Sequence, residues 1–185
     1  MKKILIGFVA VAVIAIVVFI SVYNGIVAKH ETITSRWAQV DNQLQRRNDL
    51  IPNLLNTVKG YAAHEKNVFM EVTNARSQWA KAGTVDEKLR AASAIDSALS
   101  RLLVVAENYP NLKANDTFLK LMDELSGTEN RIAVERMRYN EAVRDYNITV
   151  RTFPGNIIAK RSGYKTANEY FKSEEKAKIV PEVRF

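Results

Sequence analysis

Cysteine is absent from the 185 residues, and histidine occurs only twice. The first absence removes disulfide frameworks, thiol nucleophiles and thiolate metal sites. The second makes a three-histidine metal centre impossible. Glycine (7) and proline (4) are scarce, which argues against a turn-rich sheet fold and for long uninterrupted helices. Disorder is excluded by composition: 47% of residues are apolar and 25% charged, close to an ordinary folded chain. The formal net charge is +7. Such an excess suits an acidic partner, but acidic residues interleave with basic ones almost everywhere and give the pattern of a solvated surface. Mixed charge, and no recognised nucleic-acid-binding motif, count against nucleic acid.

The most prominent feature present is an apolar run. Residues 4–22 (ILIGFVAVAVIAIVVFISV) contain no charge. Nineteen helical residues span roughly 28 Å, close to the hydrocarbon thickness of a bilayer. A cleaved signal peptide is the competing reading, but its apolar core is normally shorter. The nearest small-x-small candidate, Ile26-Val27-Ala28, carries a bulky Ile at its first position. The segment therefore reads as an uncleaved single-pass anchor in the cell (inner or plasma) membrane. The amino terminus, Lys2 and Lys3 precede it, and Lys29 and Arg36 come closely after it. By the positive-inside rule the soluble part is extracytoplasmic, on a margin of one charge.

Beyond the span the apolar period becomes seven. Ile33, Trp37, Val40, Leu44, Arg47, Ile51, Leu54, Val58 and Tyr61 fall at alternating steps of four and three, an unbroken heptad seam with one charged member. Backwards the register meets His30 and Ile26, so span and first soluble helix form one rod, softened at Asn24-Gly25. Pro52 lies inside this helix, where a proline kinks the backbone, and Gly60 marks its end. Val68, Val72, Ala75, Trp79 and Ala82 give a second helix stopped by Gly83. Thr84-Val-Asp-Glu87 matches a capping box and opens a third, with Leu89, Ala92, Ile95, Leu99, Leu102 and Ala106 on one face, ending before Pro110. Asn115 caps a fourth. Its seam runs through Phe118, Met122, Leu125, Glu129, Ile132, Arg136, Tyr139, Val143, Tyr146, Val150 and Phe153, and Pro154-Gly155 stops it.

The fold class is thus all-α: a single N-terminal transmembrane helix continuing into an antiparallel, up-and-down four-helix bundle or coiled coil. Residues 1–28 form the anchor and juxtamembrane segment, 29–153 the bundle, and 154–185 a basic and aromatic tail near the membrane end. Helices one and four are the long ones, so the shorter two cover only the distal part of that pair, as a head on a two-helix stalk.

Several stretches resemble the LemA family of bacterial and archaeal membrane proteins. They are Trp37-Ala-Gln-Val-Asp-Asn-Gln-Leu, Arg46-Arg-Asn-Asp-Leu-Ile-Pro-Asn-Leu, Val58-Lys-Gly-Tyr-Ala-Ala-His-Glu, Asn111-Leu-Lys-Ala-Asn, Thr128-Glu-Asn-Arg-Ile, Tyr139-Asn-Glu-Ala-Val, Tyr146-Asn and Phe153-Pro-Gly-Asn-Ile-Ile-Ala. The resemblance covers residues 23–185 in order. It implies an anchored antiparallel helical bundle and no enzymatic activity, and it includes a magnetosome protein associated with membrane biogenesis. The family is often described with its short N-terminus outside, opposite to the charge count.

Chemistry is sparse. His64-Glu65 lacks a second His at helical spacing, so the zinc-protease helix motif fails. No Gly-rich phosphate loop exists. Asp123 and Glu124 face different directions and make no acid/base pair. No cofactor or metal is expected. Three charges fall on apolar seams: Arg47, Glu129 and Arg136. Antiparallel pairing of helices one and four brings Arg47 within a turn of Glu129, which reads as a register-fixing ion pair or as a charge held for a partner's helix. Arg46, Arg47, Asn48 and Asp49 precede Pro52 and read either as satisfying the carbonyl it frees or as a protein-binding surface. In the tail, seven Lys and Arg stand against four Glu. Lys160, Arg161, Tyr164, Tyr170 and Phe171 there suit headgroup contact, or the aromatics pack on the stalk instead.

Two functions are expected on these grounds. One is a non-enzymatic membrane protein that self-assembles and scaffolds or shapes the bilayer, with lipid and its own copies as partners. The other is an adaptor or sensor presenting its head to a membrane enzyme such as a protease.

Overall fold

The structure, a computed structural model, describes residues 2–167 and residues 170 and 171. Every element among them is helical: α1 (Lys2–Lys59), α2 (Lys66–Lys81), α3 (Val85–Glu107), α4 (Pro110–Lys113), α5 (Asp116–Arg151) and α6 (Gly155–Arg161). The boundaries fall where local chemistry sets them. α1 passes Asn24-Gly25 and Pro52 without interruption and stops one residue before Gly60. At the start of α3 the Thr84 hydroxyl accepts from the Glu87 amide (3.2 Å), while the Glu87 carboxylate accepts from the Gly83 and Thr84 amides (2.9 and 3.1 Å). The box satisfies amides that the first helical turn leaves without intrahelical partners. These bonds, Gly83 first, hold the Glu87 carboxyl below its ordinary value of 4.5. Asn115 caps α5 by accepting from the Phe118 amide at 3.0 Å.

The described residues divide into two compact units: residues 2–39 with 137–167 and 170, and residues 40–136 with 171. The second unit holds the rest of α1, then α2, α3, α4 and the first part of α5. Its partner contacts define the directions. Arg47 meets Glu129, and the Tyr61 hydroxyl accepts from Asn115 (3.0 Å), so α1 and α5 run antiparallel. Glu71 meets Arg101, and the Lys88 ammonium lies over the Trp79 ring, so α2 and α3 run antiparallel. Asp41 pairs with Lys88 and Arg47 with Asp96, so α1 and α3 run parallel. This is an up-and-down bundle, with Val40, Leu44, Ile51, Leu54, Val58, Val72, Trp79, Ile95, Leu102, Leu125 and Ile132 in its core.

The first unit pairs the start of α1 with the end of α5. Trp37 and Tyr139 meet edge to face (5.9 Å between centroids), as do His30 and Tyr146 (5.6 Å). Paired numbers rise on α1 as they fall on α5, so this pair is antiparallel too. Ile26, Tyr146, Val150, Ile158 and Ala159 are buried together, with Val22, Tyr23, Ile33, Tyr164 and Ala167 packed around them.

The structure corrects several sequence expectations. Phe153, assigned to the α5 seam, is 79% exposed, because α5 ends at Arg151 and the chain turns there. Tyr61, assigned to the α1 seam, lies past the helix end and is 41% exposed. Residues 155–161, read as aperiodic, form α6, and α4 was not expected; each is too short to display a period. On α2 the buried position is Phe69, with Val68 half-buried. The tail residues Glu169, Lys172, Glu174, Glu175, Lys176, Lys178, Pro181, Glu182 and Arg184 lie outside the described residues.

Candidate functional site

Three places carry the singled-out residues. The first is the start of α1. It is apolar and long enough to cross a membrane, and none of its most apolar stretch is buried. Ile4, Phe8, Val11, Ile14 and Val17 are each at least 60% exposed. A soluble bundle does not leave such a continuous apolar surface in water. The apolar segment passes without a helix break into the stretch of α1 that carries Ile26 and Ile33.

The second place is centred on Arg47, only 2% exposed. Its Nη1 donates to Asp96 on α3 and to Glu129 Oε2 on α5 (2.7 Å). One guanidinium thus ties α1 to two other helices. The structure brings Arg47 and Glu129 together, and adds Asp96, which the sequence reading missed. Asp96 lies off the α3 seam, next to Ile95, and only the three-dimensional arrangement of α1 and α3 reveals it. The ion cluster is asymmetric: the cation is buried, while the Asp96 and Glu129 side chains are 27% and 50% exposed. Nearby, Asn48 is buried, Arg46 is exposed, and Asp49 is exposed and accepts from Gln45 Nε2 (2.8 Å). Pro52 is half-buried within α1. Arg136 does not join the cluster; its guanidinium lies over the Phe171 ring at 5.2 Å.

The third place is the first unit's core and the chain that closes it. Asn147, 4% exposed, donates from Nδ2 to the Ala167 carbonyl (2.7 Å) and the Tyr170 hydroxyl (3.0 Å), and its Oδ1 accepts from the Ala167 amide (2.9 Å). The Tyr146 hydroxyl donates to the Lys165 carbonyl at 2.8 Å. Burial, with Tyr164 beside it, pushes the Tyr146 hydroxyl above its ordinary pKa. Tyr164 packs edge to face on both Tyr23 and His30. These contacts fasten residues 164–167 and Tyr170 to the first unit. Of the tail candidates for headgroup contact, Lys160 and Arg161 are exposed, whereas Tyr164 and the Tyr170 hydroxyl are engaged with protein. Asn147 was not singled out as a site residue, although Tyr146-Asn stood among the resembling motifs. A shallow groove of about 260 Å³ between α6 and this segment is lined by Asn156, Lys160, Tyr164 and Lys165.

No group of three or more acidic, His or Cys side chains is placed to hold a metal among the described residues. His64, Asp123 and Glu124 do not converge on one another in such a group.

The LemA family model matches residues 36–185. Magnetosome protein MamQ 2 of Paramagnetospirillum magneticum is 28% identical, over 89% of this chain and 71% of that protein. MamQ of Magnetospirillum gryphiswaldense is 26% identical, over 88% and 70%. Protein LemA of Metamycoplasma hominis is 25% identical, over 83% and 73%.

Proposed function

Because the chain belongs to the LemA family, we propose that it is a non-enzymatic, membrane-anchored bundle protein that self-assembles and scaffolds or shapes its membrane. The observation that carries this reading is α1: after Lys2 and Lys3, an uncharged, unburied apolar stretch continuous with a helix of the bundle. The similarity to proteins named for the magnetosome supports a membrane setting. The non-enzymatic part rests on the sequence, with no cysteine and two histidines at unrelated positions.

The partners on this reading are lipid and further copies of the chain. The test is the protein mass of the full-length chain in detergent, by light scattering corrected for bound detergent. Self-assembly gives multiples of 20.9 kDa that persist on dilution. A monomer at every concentration contradicts it, and a monomer that retains a membrane enzyme on purification favours the adaptor reading instead.

The charge count around the span favours a bundle outside the cytoplasm. A cysteine replacing the exposed Ser77 of α2 then reacts in whole cells with a membrane-impermeant maleimide. Labelling only after lysis reverses the orientation.

A further inference from the structure

The turn between α5 and α6 leaves large apolar side chains in the open. Phe153 is 79% exposed and Ile157 59%. Their neighbours Ile158 and Ala159 are buried against Ile26, with Val22 and Tyr23 packed on the same cluster. The turn is therefore fixed beside the end of the apolar run, within one unit of the chain.

Contacts between α1 and α5 set its level. Lys29 Nζ donates to Thr149 Oγ1 at 2.8 Å, and His30 meets Tyr146. Both helices rise equally per residue, so Arg151, the last residue of α5, comes level with roughly residues 25–27, and Phe153 follows two positions past it in the turn. The apolar run 4–22 ends a few residues short of this level, and the first charge after it is Lys29. In a bilayer this is the depth of the headgroup and acyl boundary, where amphipathic segments bury Phe and Leu side chains. Arg151, Lys160 and Arg161 flank the turn and are exposed, so the apolar tip carries a cationic rim suited to anionic headgroups.

The turn is also built to hold its shape. A Cβ on Gly155 would stand 2.0 Å from the Thr149 carbonyl oxygen, so only glycine lets the backbone approach α5 this closely. The Asn156 amide donates to the Thr152 carbonyl at 2.8 Å.

The geometry points to a second membrane contact: the α5–α6 turn seats Phe153 and Ile157 in the interfacial layer of the bilayer that α1 crosses, with Arg151, Lys160 and Arg161 on the headgroups. The inference rests on the anchor reading and deepens it. Lipid contact falls on this turn, and not on Tyr164, which the protein core occupies. The first unit is then held to the membrane at two points.

The chain has no cysteine, so single cysteines report single positions. The full-length protein carries an environment-sensitive fluorophore at position 153, 157, 14 or 77 (F153C, I157C, I14C, S77C). Each is reconstituted into vesicles of zwitterionic and anionic phospholipid. Nitroxide lipids quench from the headgroup level or from the bilayer centre, and iodide quenches from water. Positions 153 and 157 are expected to be blue-shifted relative to 77, quenched most by the shallow nitroxide, and several-fold less accessible to iodide than 77. Position 14 is expected to be quenched most by the deep nitroxide. If 14 is deep while 153 and 157 are as open to iodide as 77, the turn stands in water and the inference fails alone. If 153 and 157 are shielded from iodide yet unquenched by either lipid, protein covers the turn, and the inference also fails. If 14 itself is open to iodide, the anchor reading fails and the turn's lipid contact with it. Unchanged helical circular dichroism confirms that each variant is folded.

Discussion

Arg47 occupies a position where the α1 heptad calls for an apolar side chain, and the structure compensates by surrounding its guanidinium with two carboxylates. A buried cation without a counter-charge is costly, while one satisfied carboxylate already removes most of that cost. Asp96 and Glu129 are therefore partly redundant. Replacing either with Ala is expected to cost about 1 kcal/mol, since the other remains. Replacing both leaves the guanidinium buried and unpaired, and is expected to cost about 3–5 kcal/mol, clearly more than the sum. Denaturant unfolding of the four proteins in mild detergent checks this; strict additivity would show that the carboxylates do not share one cation. Arg47→Leu restores an apolar seam and leaves two partly exposed carboxylates that water can reach, so it is expected to be far milder than the double change. Glu129 was legible as a partner because both charges interrupt apolar seams and antiparallel pairing aligns them. Asp96 was not, because on α3 it sits beside the apolar face in a position where a charge is unremarkable.

Helix ends were the most readable feature of the sequence, because glycines, a capping box and a capping asparagine act locally and need no tertiary context. Glu87 allows that local chemistry to be tested. Its folded pKa is depressed by the Gly83 and Thr84 amides, so its contribution to stability is fully present above its ordinary value of 4.5 and is lost as pH falls through the lower folded value. Glu87→Gln is expected to flatten the melting temperature profile as pH falls below 4.5. Superimposable slopes for the two proteins would count against the box. The α5–α6 turn was less readable. Phe153 continues the α5 heptad numerically, but Pro154 and Gly155 end the helix, and the ring falls outside the seam. Seven residues of α6 are too few to show a period. Gly155→Ala forces a Cβ against a backbone oxygen that cannot rotate away. It is expected to cost about 1–3 kcal/mol and to loosen α6 selectively, seen as faster amide exchange in residues 155–162 while α3 is unaffected. Uniform exchange behaviour would mean that the turn does not depend on this close approach.

At the scale of the whole chain, the all-α class and the antiparallel order of the long helices were legible in the heptads and short connections. The packing of residues 164–167 was not, because it depends on Asn147 and Tyr146 bonding to backbone groups, an interaction with no sequence period. Everything proposed about function hangs on α1 keeping its apolar start in the mature protein. The direct measurement is the intact mass, with N-terminal peptide mapping, of the protein extracted from carbonate-washed membranes. The account predicts that the 4–22 segment is present and continuous with the bundle. A mature chain that begins near Lys29 would show that the segment is a removed signal, and would contradict both the anchor and the membrane-shaping role built on it.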